Sequence, residues 1–284
     1  MRNIALILMQ ILVLAISVAT HAAAPRSIEH VAGDLYRVHG GGNYHSALLV
    51  TSEGIIVFDP ISKEAALWLK EEIKARFDLP VKYLIYSHSD EDHSIGGEVF
   101  EGATVIAHEK TKENLIRNNT PTALPDITFT DQMSLEFGGS KVNLIYLGIG
   151  HGDNLVAIHF PHERAVLCVD IVFVRRLAYG ALGQSADEPQ TYIPGWINSL
   201  HILESIDYDI LLTGHGDAGT KADGVEFRQY FEALYEAVVD AQRRGLSLED
   251  AKESIELDQF RHLRMYDEWF ELNVEGMYKL VDDL

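Results

Sequence analysis

Residues 35–38, 47–50 and 55–58 are short, largely apolar runs, separated by the glycine-rich stretch 40–43 and by Ser52, Glu53 and Gly54. Such runs bounded by turn residues predict antiparallel strands and hairpins. Across residues 62–77 the period changes: Ala65, Leu67, Trp68, Leu69, Ile73 and Phe77 fall among charges as on an amphipathic helix, and residues 81–86 follow as a buried strand. A short helix near residues 96–100, a strand over 104–107 and a helix over 109–117 continue the alternation, and Pro121 and Pro125 mark a loop. A second β-rich half follows, with strands over 142–147, 155–160 and 165–169, a helix over 192–206 and a strand over 210–213. From Lys221 onward the chain reads as helical, with Phe227, Tyr230, Phe231, Leu234, Tyr235 and Val238 at core-packing spacing and a fresh helix start at Ser247. Strands and helices thus recur in each half, and the expected fold class is an α/β sandwich of the αββα type with additional C-terminal helices.

The first 24 residues have a different pattern. A charged start at Arg2, an apolar run over 4–19 and the small residues Ala22, Ala23 and Ala24 have the order of a secretory signal peptide. The competing reading is an uncleaved anchor, since the run approaches the roughly 20 residues that span a bilayer. The small-residue ending favours cleavage, and with it a protein exported to the periplasm or secreted, without stable membrane insertion. The expected organisation is then a signal peptide over 1–24, a sandwich domain over 25–220 and a helical extension over 221–284 packed on the same domain. With 47% hydrophobic residues in 284, such a chain has enough apolar material for a large core. A formal net charge of -20 repels polyanions, so nucleic acid is excluded as a partner and a small-molecule substrate is expected; oligomeric state is not legible. Cys168 is the only cysteine, which rules out an internal disulfide, and its place in an apolar run predicts a core thiol.

Histidines and aspartates gather where apolar runs end. His88, Ser89, Asp90, Glu91, Asp92 and His93 place four possible ligands in six residues directly after a strand, so His88 and Asp90 can face one ion while Asp92 and His93 turn to another. His151, Asp170 and His215 follow other strands, and the two oxygens of Asp170 allow it to bridge. Any one of these histidines alone would be a surface or packing residue, but the set in this order points to two divalent ions sharing a water. Asp153 and Asn154 are expected to support His151. His39, His45, His108, His159, His162, His201 and His262 lack such company and read as surface or packing residues, with His45 worth a closer look because the turn before it borders the expected pocket.

The segment from His88 to His93, followed by Gly96 and Gly97, resembles the H-x-H-x-D-H motif of the metallo-β-lactamase-fold superfamily, a likeness that extends over about residues 28–219. The resemblance implies that His88, Asp90 and His151 bind a first metal, that Asp92, His93 and His215 bind a second, and that Asp170 joins them. It further implies a hydrolase in which a metal-bound hydroxide attacks a carbonyl, with Asp92 orienting the water or passing a proton to the leaving group. Zinc is the expected metal, and the hard oxygen of Asp90 brings manganese or iron into range.

Two departures from the family pattern matter. Asp90 stands where the family has its second histidine, which removes a unit of positive charge and makes a weaker Lewis acid. The His151 loop is also shorter than usual before its aspartate. Members that are true β-lactamases generally carry Cys or Ser where Asp170 stands, so the chain is more similar to the ester, thioester and lactone hydrolases. The leading expectation is an exported dinuclear hydrolase of such a substrate. The alternatives are a β-lactam hydrolase, a non-catalytic metal- or ligand-binding protein, and an iron-dependent oxidase of a sulfur compound.

Overall fold

The computed structural model describes residues 25–182 and 191–282; the signal-peptide expectation over 1–24 lies outside them. Seven strands, β1 (Ser27–Ala32), β2 (Leu35–Gly41), β3 (Tyr44–Thr51), β4 (Gly54–Phe58), β5 (Val81–Ile85), β6 (Thr104–His108) and β7 (Ile127–Phe129), form one sheet in sequential order. Pairing is antiparallel from β1 to β4 and parallel from β4 to β7, with helices α1 (Lys63–Arg76) and α3 (Glu109–Arg117) in two of the crossovers and the short α2 (Glu91–Ser94) after β5. Six further strands, β8 (Gln132–Phe137), β9 (Ser140–Tyr146), β10 (Val156–Phe160), β11 (Ala165–Leu167), β12 (Ile210–Leu212) and β13 (Gly219–Thr220), form the second sheet. Its one parallel pair, β11 with β12, is connected through α4 (Ile193–Ser205).

Strand alternation explains the layers. On β3 and β4, Ala47, Leu49, Ile56 and Phe58 point between the sheets, where they meet Leu144, Ile158, Phe160 and Leu167, and the Phe58 and Phe160 rings pack edge to face at 5.1 Å. Their neighbours Leu48, Ile55 and Val57 point outward onto Ala66, Leu69 and Ile73 of α1. The outer face of the second sheet is covered by α4, α5 (Lys221–Arg243), α6 (Leu248–Ser254) and α7 (Tyr266–Asp282), so Val166, Leu211, Trp196, Phe227, Phe231 and Val274 share one apolar cluster. This is an αββα sandwich with extra C-terminal helices, as the hydrophobic pattern predicts. Side chains cap the helix starts: Ser62 accepts from Ala65 N at the head of α1, and Thr220 and Ser247 form capping boxes at α5 and α6. Cys168 is fully buried, and burial pushes its thiol pKa up, as suits an inert core residue.

Four strands are absent from the sequence reading: β1, β7, β8 and β13. Strand β8 is an edge whose Met133, Leu135 and Phe137 are only half-buried, and β13 has two residues, so neither makes a strong apolar run. Among the described residues no helix is long and apolar enough to cross a membrane.

Candidate metal centre

The parallel pairs β4/β5 and β11/β12 end at the same rim of the sandwich, and the chemistry-bearing residues follow those ends. After β5 the chain runs extended through His88 to Asp90 and then turns into α2, which brings Asp92 and His93 toward His215 while the His88 and His93 rings stay 5.0 Å apart. His151 lies in the β9–β10 connection, Asp170 three residues past β11 and His215 three residues past β12. Two glycines permit the close approach. A Cβ on Gly214 would lie 2.8 Å from His93 Cε1, and one on Gly96, at φ 102°, would lie 2.7 Å from the Ser62 carbonyl oxygen.

All seven residues singled out in the sequence converge. His88 Nε2 is 3.3 Å from Asp90 Oδ2 and 3.4 Å from Asp170 Oδ2, and His151 Nε2 is 3.8 Å from Asp90 Oδ2. On the other side, His93 Nε2 and His215 Nε2 face each other at 3.1 Å, with Asp92 Oδ2 3.7 and 3.5 Å from them. Asp170 stands between: Oδ2 is 3.6 Å from His93 Nε2 and Oδ1 is 3.2 Å from His215 Nε2. Its backbone is left-handed at φ 59°, a conformation uncommon for a non-glycine residue and one that concentrates at functional sites.

These residues fit a divalent cation. Buried His88 Nε2 and Asp170 Oδ1 have carboxylate or imidazole neighbours but no aligned hydrogen bond. Donors separated by 3.1 to 3.8 Å match the spacing of about 3.3 Å expected between ligands of one tetrahedral zinc. Three groups have donor atoms within 4.8 Å of one another: His88, His93 and Asp170; Asp92, His93 and His215; and Asp90, His151 and Asp170. Asp90, although shorter than the histidine it replaces, reaches the cluster.

Partners behind the donors set their orientation. Ser87 Oγ donates to Asp59 Oδ2 at 2.6 Å and so accepts from His88 Nδ1 at 2.9 Å, which leaves His88 Nε2 as the nitrogen that faces the cluster. His215 Nδ1 donates to the Asn43 carbonyl at 3.1 Å with the same result. Asn154 Oδ1 accepts from Ser89 N at 2.8 Å and Thr111 Oγ1 at 3.1 Å, tying the His151 loop to the first motif, while Asp153 Oδ1 accepts from Asn114 Nδ2. The indole of Trp196 backs His151 edge to face at 5.2 Å. Asp59, fully buried beneath His88 and His93, is a site residue that the sequence reading missed; its signal was a lone carboxylate ending the apolar strand β4.

The remaining histidines hold other positions. His39, His201 and His262 pair with Glu29, Glu232 and Glu226, His159 meets the Asp207 carbonyl, and His108 stacks on Tyr146. Asn43 and Tyr44 line the metal cleft, whereas His45 turns into an adjacent cavity.

Burial alone would raise the carboxyl pKa values of Asp90, Asp92 and Asp170, but the imidazoles facing them outweigh it and hold all three below their ordinary value. Burial likewise works against charge on His88 and His215, yet the carboxylates prevail: His88 rises well above its usual value and His215 is pushed up to about 10. Without a cation, His215 therefore holds a proton at neutral pH on a nitrogen that a cation needs, and His88 is shifted in the same direction. Cation binding must displace protons from such nitrogens, and apparent affinity should fall as the pH drops. Calorimetric titration at pH 7 in two buffers of different ionisation enthalpy is expected to show this release; heats independent of the buffer would contradict the arrangement.

The donors open into a cleft of about 420 Å³, with Tyr44, Phe173, Tyr179, Leu182 and Trp196 as apolar and aromatic walls and Arg176 as the cation in its lining. A family model described as the metallo-beta-lactamase superfamily matches residues 39–215, a span that contains every donor. The chain belongs to this superfamily. Metallo-beta-lactamase superfamily members typically bind two metal ions, in keeping with the donor groups seen here.

The chain is 25% identical over 215 residues to the 2,4-dinitroanisole O-demethylase subunit alpha of a Nocardioides strain, a match that spans 74% of this chain and 63% of that protein. It is 28% identical over 193 residues to the metallo-beta-lactamase type 2 of Elizabethkingia meningoseptica, spanning 64% of this chain and 73% of that one. The solved metallo-beta-lactamase of Pontibacter korlensis superposes with a TM-score of 0.65 at 21% identity, over 73% of this chain and 99% of that one, a likeness of fold.

Proposed function

We propose that the chain is a dinuclear metal-dependent hydrolase of a small ester, thioester or lactone, exported by its N-terminal segment. The observation that carries this reading is the buried Asp170 carboxylate, one oxygen of which faces His88 and His93 while the other faces His215. A bound pair of divalent ions supplies Lewis-acid polarisation of a carbonyl and a water of lowered pKa. The chain's own groups do the rest. Asp92, its side chain 43% exposed and held ionised, can accept a hydrogen bond from the attacking water and orient it. Tyr44, Phe173 and Trp196 shield the cleft and offer apolar surface to an acyl or aryl group. An aspartate at position 170, where β-lactamases generally carry Cys or Ser, supports ester-class substrates over β-lactams. The similarity to the Elizabethkingia enzyme keeps β-lactam hydrolysis as the second reading.

The test is turnover of phenyl acetate, an acyl thioester, a lactone and a chromogenic cephalosporin by protein loaded with zinc, manganese or iron. Expected is hydrolysis of the ester class that is lost on chelation and in His151→Ala. Faster turnover of the cephalosporin would favour the second reading. Full metal occupancy with no hydrolysis of any of the four would overturn the proposal and leave a binding protein.

A further inference from the structure

A second cavity adjoins the metal cleft and shares Asn43 and Arg176 with it; strands β2 and β3, the residues after His215 and the segment around Arg264 supply the remaining wall. Arg37, Arg176 and Arg264 line it together with one carboxylate, Asp217. That carboxylate is already held, 3.0 Å from Arg264 and 3.4 Å from Arg175. In a chain of formal net charge -20, three guanidinium groups around a single engaged carboxylate are a local reversal of sign.

Two of the three arginines are more than nine-tenths buried, Arg37 at 7% and Arg176 at 9% exposure. Arg37 donates through Nη2 to the Gly216 carbonyl, and its Nε has no acceptor. Arg176 lies over the Trp269 ring at 4.8 Å and near Phe173 at 5.7 Å, contacts that attract a cation without accepting its hydrogen bonds. Its Nε is also without an acceptor. His45, equally buried, also lines the cavity, and its Nδ1 has no hydrogen-bond partner. Buried cations and donors are retained at a cost unless something pairs with them. Consistent with that, burial draws the pKa values of both arginines down from the usual guanidinium range, and Arg264 draws Arg176 down further.

We propose that this pocket binds an oxyanion, with Arg37 and Arg176 as its principal donors and Arg264 as the third. A guanidinium presents a planar fork of N–H donors that matches carboxylate, sulfate and phosphate oxygens, and it keeps its charge where an ammonium would lose it. The Asn43 and Arg176 positions join the pocket to the metal cleft, so an extended ligand can place its anionic end here and its remaining part against the metal donors. That last step rests on the hydrolase reading; the pocket itself does not.

The experiment reads binding and needs no turnover, so its failure and that of the hydrolase reading are separable. Zinc-loaded protein is melted in sodium sulfate, phosphate and acetate, each against sodium chloride at matched ionic strength. At least one oxyanion is expected to raise the melting temperature beyond chloride, saturably. Arg37→Met and Arg176→Met should each weaken that anion about tenfold, the loss of a charge-assisted hydrogen bond. Arg264→Met, at a side chain 53% exposed and therefore compatible with folding, should weaken it to a lesser degree and keeps the test decisive if a buried variant misfolds. A preference for acetate would identify a carboxylate site, and a preference for sulfate and phosphate a tetrahedral one. No stabilisation beyond chloride, or equal stabilisation of wild type and every folded variant, would overturn the proposal.

Discussion

Asp170→Ala is expected to lower turnover by about 10³-fold or more, the loss of about 4 kcal/mol of transition-state stabilisation, and to leave at most one tightly held ion per chain. The size of the effect follows from position. Asp170 is the one carboxylate with an oxygen on each side of the cluster, 3.4 Å from His88 and 3.6 Å from His93 through Oδ2 and 3.2 Å from His215 through Oδ1. Removing it strips a donor from both sides at once and leaves three imidazoles with only Asp90, Asp92 and Asp59 as counter-charge. Alanine also has no use for the left-handed backbone at this residue, so the turn toward Ile171 relaxes. Elemental analysis beside ester kinetics checks the outcome. Two ions per chain and turnover within tenfold of wild type would remove Asp170 from the centre.

Trp196→Ala should cost about 3–5 kcal/mol of stability, the range for a fully buried aromatic, and lower the melting temperature by about 10 °C. Trp196 is 1% exposed, packs on Phe231 at 4.9 Å and touches His151 edge to face. Its Nε1 donates to the Ile171 carbonyl at 2.8 Å, directly after Asp170. The substitution therefore opens a void, orphans a buried carbonyl and loosens two donor loops together. Trp196→Phe should be milder, since it keeps most of the volume and loses the hydrogen bond. Thermal unfolding followed by circular dichroism measures both; a fall of less than about 2 °C for the alanine variant would show that α4 does not brace the site.

The parts of this molecule that were legible in its sequence are those whose physics is local. Helix α1 was readable from the spacing of its apolar residues, the start of α6 from Ser247, and the metal donors from polar residues placed at strand ends. Asp59 was not readable, because a single aspartate after an apolar strand looks like any turn residue until β4 and β5 pair and bring it beneath His88. The helix α2 was itself hidden, because four residues carry no helical period, although the division it serves, Asp90 toward His151 and Asp92 toward His215, follows the one read from the motif's spacing. The arginine pocket was hidden most deeply, since Arg37, Arg176 and Arg264 lie far apart along the chain and meet only through tertiary contacts.

The four donors of the first motif hang from the seven-stranded sheet, while His151, Asp170 and His215 hang from the six-stranded one. An ion gripped by both sets is a rivet through the sandwich, fastening one leaf to the other at an edge where loops rather than side-chain packing meet. Ions that bind only this folded arrangement would add to what the buried core between the leaves already supplies, so chelation is expected to lower the temperature at which the leaves part.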